Sequence, residues 1–158
     1  MRSTARRAPL TPRRSRSGRL PPDLELADTS AWTNRHKSKT VEDEFNALLL
    51  DGAIAICPMV VMELLWTSRS AEDFQELRND LTALPQVSIG DAVWARAVEV
   101  WQELALKSRH RQVKIPDLLV ASAAELAGIG ICHYDRDFDV IAEVTAQPVR
   151  AIAPFGRL

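Results

Sequence analysis

Residues His133 to Asp139 read HYDRDFD, placing three aspartates in five positions directly after the apolar run Gly128 to Cys132. Like charges at that density repel, so the segment is either a solvated turn or a set of oxygen donors for a cation. Three further acids stand in apolar surroundings: Asp28 after LELA, Glu63 within PMVVMELLW, and Asp117 within IPDLLVA. Ionised carboxylates are rarely buried without a partner, and together Asp28, Glu63, Asp117 and Asp135 offer hard oxygen ligands. No Cys/His cluster accompanies them, so the donor set suits Mg²⁺ or Mn²⁺ rather than zinc. Such ions polarise a phosphodiester and help to deprotonate an attacking water, with two ions ~4 Å apart if both are bound. An EF-hand loop is excluded, because its sixth position would be Val140 instead of Gly and its twelfth Ala146 instead of Glu.

All but Glu63 also have a plainer reading. Asp28 suits the cap of a helix after DTS, and Asp117 falls in a first helical turn, where the dipole favours an anion by roughly 0.3 to 1 kcal/mol. The Asp135, Asp137, Asp139 run could be a solvated turn capping the next helix. Glu63 lies about a turn further into its helix, which reads as apolar on every side and therefore buried. Convergence favours the metal reading: four carboxylates brought to one rim resist ionisation unless a cation lies between them.

The elements that would position them alternate. LELA (24–27) reads as a strand ending at Asp28, AIAIC (53–57) as a second, IGIC (129–132) as a third, and PVRAIA (148–153) as a last. Between them, Thr40 is the expected cap of a helix with Phe45, Leu48 and Leu49 on one face. Pro58 suits a first helical turn. Ser70 opens a helix carrying Phe74, Leu77, Leu81 and Leu84, stopped by Pro85, and Asp91 caps another with Trp94, Val98, Trp101 and Ala105 on one side. The helix around Asp117 has Pro116 near its start and Gly128 as its stop. Strands separated by helices imply parallel pairing with right-handed crossovers, hence an α/β, three-layer α/β/α sandwich with a short parallel sheet. In such sheets ligands sit beyond the carboxyl ends of the strands, where Asp28 and Asp135 both fall.

The bulk numbers add limits. The chain has 158 residues, 46% apolar and 26% charged, which is enough for one buried core. Residues 1 to 20 hold seven arginines and no acid, so removing them from a net charge of -1 leaves the other 138 residues at -8. A body that acidic needs basic patches or bound cations to hold a polyanion. Cys57 and Cys132 both lie in apolar runs and read as reduced core residues of a cytoplasmic protein. No run approaches the ~18 apolar residues of a membrane span. Residues 1–22 are expected to be a disordered Arg/Pro/Ser-rich tail or a misassigned start, with Pro9 and Pro12 interrupting any transit-peptide helix, and residues 23–158 the folded domain.

The ordered segments LADTSAW, VVMELL, IPDLLVA and HYDRDFD resemble those of the PIN-domain nucleases, most closely the VapC-type ribonuclease toxins of toxin–antitoxin pairs. The resemblance covers residues 24 to 155. It implies a Mg²⁺-dependent endoribonuclease, with Mn²⁺ able to substitute, that hydrolyses phosphodiesters of a structured RNA and is silenced by an antitoxin. It also implies a homodimer. The family's four acids fall on Asp28, Glu63, Asp117 and Asp135, with Asp137 as an accessory or substitute. A hydroxyl after the first acid, here Thr29 or Ser30, would stand near metal water or phosphate, although either could equally serve as a local cap.

KSRHRQVK (107–114) could hold RNA phosphates beside the metals or be a solvated loop. Trp94 and Trp101, seven apart, are expected in the core or a dimer contact, and Trp32 and Trp66 on a partner surface. Two rival functions remain. One is a non-catalytic PIN-like module that binds an antitoxin-like partner. The other is a phosphatase of the haloacid dehalogenase type, suggested by the Asp-x-Asp of Asp135 and Asp137; that family places its pair on the first strand.

Overall fold

The structure, a computed structural model, describes residues 23–158. The expected tail, residues 1–22, lies outside them. Four short strands form a parallel sheet in the order β2-β1-β3-β4: β1 Glu25–Ala27, β2 Ile54–Ala55, β3 Gly130–His133 and β4 Val149–Ala151. Seven α-helices accompany them among the described residues: α1 Thr29–Asn34, α2 Lys39–Leu50, α3 Pro58–Leu65, α4 Ala71–Thr82, α5 Asp91–Leu106, α6 Ile115–Ala127 and α7 Asp137–Thr145.

The chain moves from β1 outward to β2, then crosses back past β1 to β3 and on to β4. Right-handed crossovers in opposite directions put the intervening helices on opposite faces, giving the α/β/α layering. Accordingly α5, α6 and α7 pack on one another, while α1 and α2 form a separate group. The strand order reverses between β1 and β3, which is where a crevice opens at the carboxyl ends of the strands. Ala27 pairs with Cys132 across that boundary, and the Asp28 amide continues the ladder to the Cys132 carbonyl at 2.9 Å.

Helix α6 is the central element. It lies against β1 and β3, and every residue from Asp117 to Ala124 is buried. Gly128 ends it at φ 69°, in the left-handed region that a side chain would strain. Strand β2 is shorter than its apolar run: Ile56 turns to the opposite side and pairs with the segment after α4, accepting from Val87 and donating to Pro85. That segment covers the sheet edge, which would otherwise offer unpaired backbone groups.

Several sequence expectations need correction. Ser38 precedes α2, leaving Thr40 inside its first turn, and Gly90 is the residue before α5, with Asp91 its first member. On α5 the buried stripe is Val93, Ala97, Val100 and Leu104, whereas Trp94 is 52% and Val98 62% exposed. Two apolar stripes lie one residue apart on this helix, and the smaller side chains allow the close approach to α6 that the tryptophans do not. Trp101 is also exposed, its indole donating to the His110 carbonyl at 2.8 Å. Conversely Trp32 is buried, edge-on to Phe45 at 5.1 Å with the Arg35 guanidinium over both rings, so it is no partner surface. None of the described helices is long and apolar enough to cross a membrane.

Candidate metal centre

Asp28 follows β1 and is buried. It starts α1, accepting from the Ser30 amide at 2.8 Å and the Ser30 hydroxyl at 2.5 Å through one oxygen, Oδ2. The capping role and a place in the crevice therefore coincide in one side chain. Ser30 Oγ in turn accepts from the Tyr134 amide at 2.9 Å, tying the end of β1 to the loop after β3.

That loop supplies the next acid. Asp135 Oδ1 accepts from the Asp137 amide at 3.0 Å, and Asp137 is the first residue of α7. Opposite stands the first turn of α6, where Asp117 is buried and the Lys114 amide donates to Asp137 Oδ2 at 3.3 Å. Two helix N-termini thus face one set of carboxylates, and both macrodipoles favour the anions. Asp117, Asp135 and Asp137 each offer a ligand oxygen, all within 4.8 Å of one another.

Electrostatics separates the members. Burial, a shared hydrogen bond with Asp137 and the nearby Asp28 push the Asp117 carboxyl up to about 8, against the pull of Lys114. Burial also raises Asp28, partly offset by its Ser30 bonds. Burial alone would raise Asp135 too, but the Asp137 amide and the Lys114 ammonium hold it below the usual carboxylate range. Asp117 Oδ2 is buried without any hydrogen-bond partner. A buried, unbonded carboxylate oxygen facing two other carboxylates fits a hard divalent cation by donor type and charge.

Glu63 is placed differently from its expectation. Its helix is not buried on all sides: only Val60 and Leu64 enter the core, while Met62 is 69% and Trp66 89% exposed. The all-round apolar pattern reflects an uncovered surface. Glu63 is half-buried and outside the three-carboxylate cluster, but its Oε2 accepts from the Thr29 hydroxyl at 2.5 Å, so it borders the residue next to Asp28. Thr29 and Ser30 each therefore contact a different acid.

Lys114, the last residue of the 107–114 segment, is engaged by the acids themselves. Its ammonium lies 2.7 Å from Asp135, 3.4 Å from Asp137 and 3.6 Å from Asp117. The sequence signal for the Asp117 pair is the three-residue spacing, which puts both on one helical face. Elsewhere in the 107–114 segment, Arg109 is engaged by Glu143 and Gln112.

Asp135 and Asp137 follow β3, the inner partner of β1, and not the first strand that a haloacid dehalogenase would use. The PIN domain family model matches residues 26–144, from β1 through α7. The chain belongs to the PIN-domain family. Among PIN-domain relatives it is similar to ribonuclease VapC18 of Mycobacterium tuberculosis, 39% identical over 133 residues that cover 83% of this chain and 96% of the relative. Ribonuclease VapC21 of the same species is 41% identical over 133 residues, covering 82% and 94%. Solved structures of similar fold include a toxin–antitoxin complex from Klebsiella pneumoniae, with TM-score 0.61, 19% identity, and 82% of this chain and 98% of that chain covered. A DNA-bound VapBC from Salmonella typhimurium gives TM-score 0.64 at 19% identity, covering 82% and 99%. At that identity the structural likeness speaks for the PIN fold alone.

Proposed function

We propose that this PIN-domain chain is an endoribonuclease, the toxin of a toxin–antitoxin pair, which hydrolyses phosphodiester bonds of structured RNA with Mg²⁺, Mn²⁺ substituting. The observation that carries the reading is the unbonded buried Asp117 oxygen among the Asp135 and Asp137 carboxylates, in a chain whose relatives are named ribonucleases.

Asp28, Glu63, Asp117 and Asp135 are the residues that would hold the cation, with Asp137 completing the set. A divalent ion supplies charge that polarises the phosphodiester and eases deprotonation of water. The side chains around it have distinct tasks. Asp117 must release the proton that burial favours before it can ligate. Ser30 fixes Asp28 through its hydroxyl and amide, and Thr29 orients Glu63. Exposed Lys107 and Arg111 offer positive charge ahead of α6 for RNA phosphates, while much of the remaining surface is acidic.

The partners follow from the same reading. Met62 and Trp66 present apolar surface next to Glu63, and we assign that surface to a cognate antitoxin. The Trp94 and Val98 stripe on α5 is assigned to a second copy of the chain, as a homodimer. The protein is proposed to act in the cytoplasm, and residues 23–158 to fold as one nuclease domain. The deciding experiment is mapping of new RNA ends in cells after induced expression of the intact chain and of Asp117→Asn. Discrete new ends with the intact chain only are expected. Growth arrest by both chains without cleavage would instead support a binding module that lacks catalysis.

A further inference from the structure

Lys114 stands immediately before α6, and its ammonium reaches the same three carboxylates that form the candidate metal ligands. The contact is uneven. At 2.7 Å it bonds Asp135, whereas at 3.6 Å from Asp117 Oδ2 it leaves that buried oxygen unbonded. One ammonium therefore neutralises the cluster only in part. A divalent ion seeking the same oxygens would meet both direct competition for their lone pairs and repulsion from the ammonium.

The geometry points to Lys114 as an internal placeholder cation that occupies the carboxylate cluster in the metal-free chain and is displaced when a divalent ion binds. The inference rests on the metal reading of the centre. Two features make the exchange feasible. The Lys114 side chain is 63% exposed and flexible, so its ammonium can leave into solvent. Its backbone amide donates a hydrogen bond to Asp137 Oδ2, so the ligands stay assembled while the side chain swings. The lysine would then hold the apo carboxylates together against mutual repulsion and set a threshold for metal loading. Once displaced, the ammonium remains tethered at the edge of the centre.

The test uses the intact chain with isotope-labelled lysine, which is informative because the sequence has only four lysines: Lys37, Lys39, Lys107 and Lys114. On titration with Mg²⁺, the Lys114 side-chain NMR signal should move and saturate together with the calorimetric binding isotherm, while the other three signals stay in place. Asp117→Asn should abolish both responses. Lys114→Met should bind Mn²⁺ about three- to tenfold more tightly, the scale of one partly exposed, charge-assisted contact. Mg²⁺ binding with an unmoved Lys114 signal would overturn the inference and leave the metal centre standing, as would Mn²⁺ affinity that is unchanged or weaker in Lys114→Met. If the intact chain binds neither ion, the metal reading fails and the placeholder fails with it. The NMR readout needs no variant of Lys114 to fold.

Discussion

The Thr29 hydroxyl donates a 2.5 Å hydrogen bond to Glu63, joining the residue after the first acid to a helix 34 positions along the chain. This contact gives Glu63 a fixed orientation although its helix is half uncovered. Thr29→Val keeps the shape and removes the donor. If Glu63 holds the cation as proposed, RNA cleavage should fall roughly ten- to a hundredfold on loss of this supporting hydrogen bond, while Thr29→Ser retains most activity. Equal cleavage by Thr29→Val and the intact chain, in a gel-based time course, would remove the orienting role.

Asp117 links the centre to stability. Its folded-state value of about 8 lies above the ordinary 3.8, so between these limits the folded, metal-free chain keeps a proton that the unfolded chain releases. The unfolded state then binds fewer protons, and this group's contribution to stability declines as pH rises from 3.8 to about 8, then levels off. Asp117→Asn should remove that decline and melt at a higher temperature than the intact chain near neutral pH without metal. Thermal melts across that pH range, compared between the two chains, measure the difference. Parallel melting curves would contradict it.

Just after α3, Trp66 projects almost entirely into solvent. If an antitoxin covers it, Trp66→Ser should weaken the complex by roughly tenfold or more, as expected for a central aromatic contact, and leave cleavage by the free chain intact. Titration calorimetry with the product of the neighbouring gene supplies the readout.

The α5 stripe leads to a separate outcome. Trp94→Glu introduces a charge into the surface assigned to the second copy and should shift the sedimentation profile from dimer to monomer without altering the far-ultraviolet spectrum. A monomeric intact chain at the same concentration would refute the assignment.

Alternating apolar runs and helical periods announced the parallel sheet, because each strand needs only two to four residues and the crossover into β3 has its own stop signal at Gly128. Asp28, Asp117 and Asp135 were legible for a related reason: each abuts an element boundary, and topology carries those boundaries to one end of the sheet. Periodicity was less informative on α5, where Val93 and Trp94 begin equally regular stripes and only contact with α6 decides between them. It also misjudged α3, since apolar side chains on every side can mean an uncovered surface as well as a buried helix. The 107–114 segment was legible as positive charge before Asp117, but the pairing of Lys114 with Asp135 and Asp137 was not, because those ion pairs span more than twenty residues.

Ser30 leaves its hydroxyl hydrogen little choice. With the Tyr134 amide pointing at the oxygen, the hydrogen is directed toward Asp28, and the direction of donation is set by the backbone of a loop more than a hundred residues away. An alanine there would strand the Tyr134 amide and leave Asp28 Oδ2 with only the backbone bond from residue 30, so damage to the chemistry and loosening of the fold would arrive together.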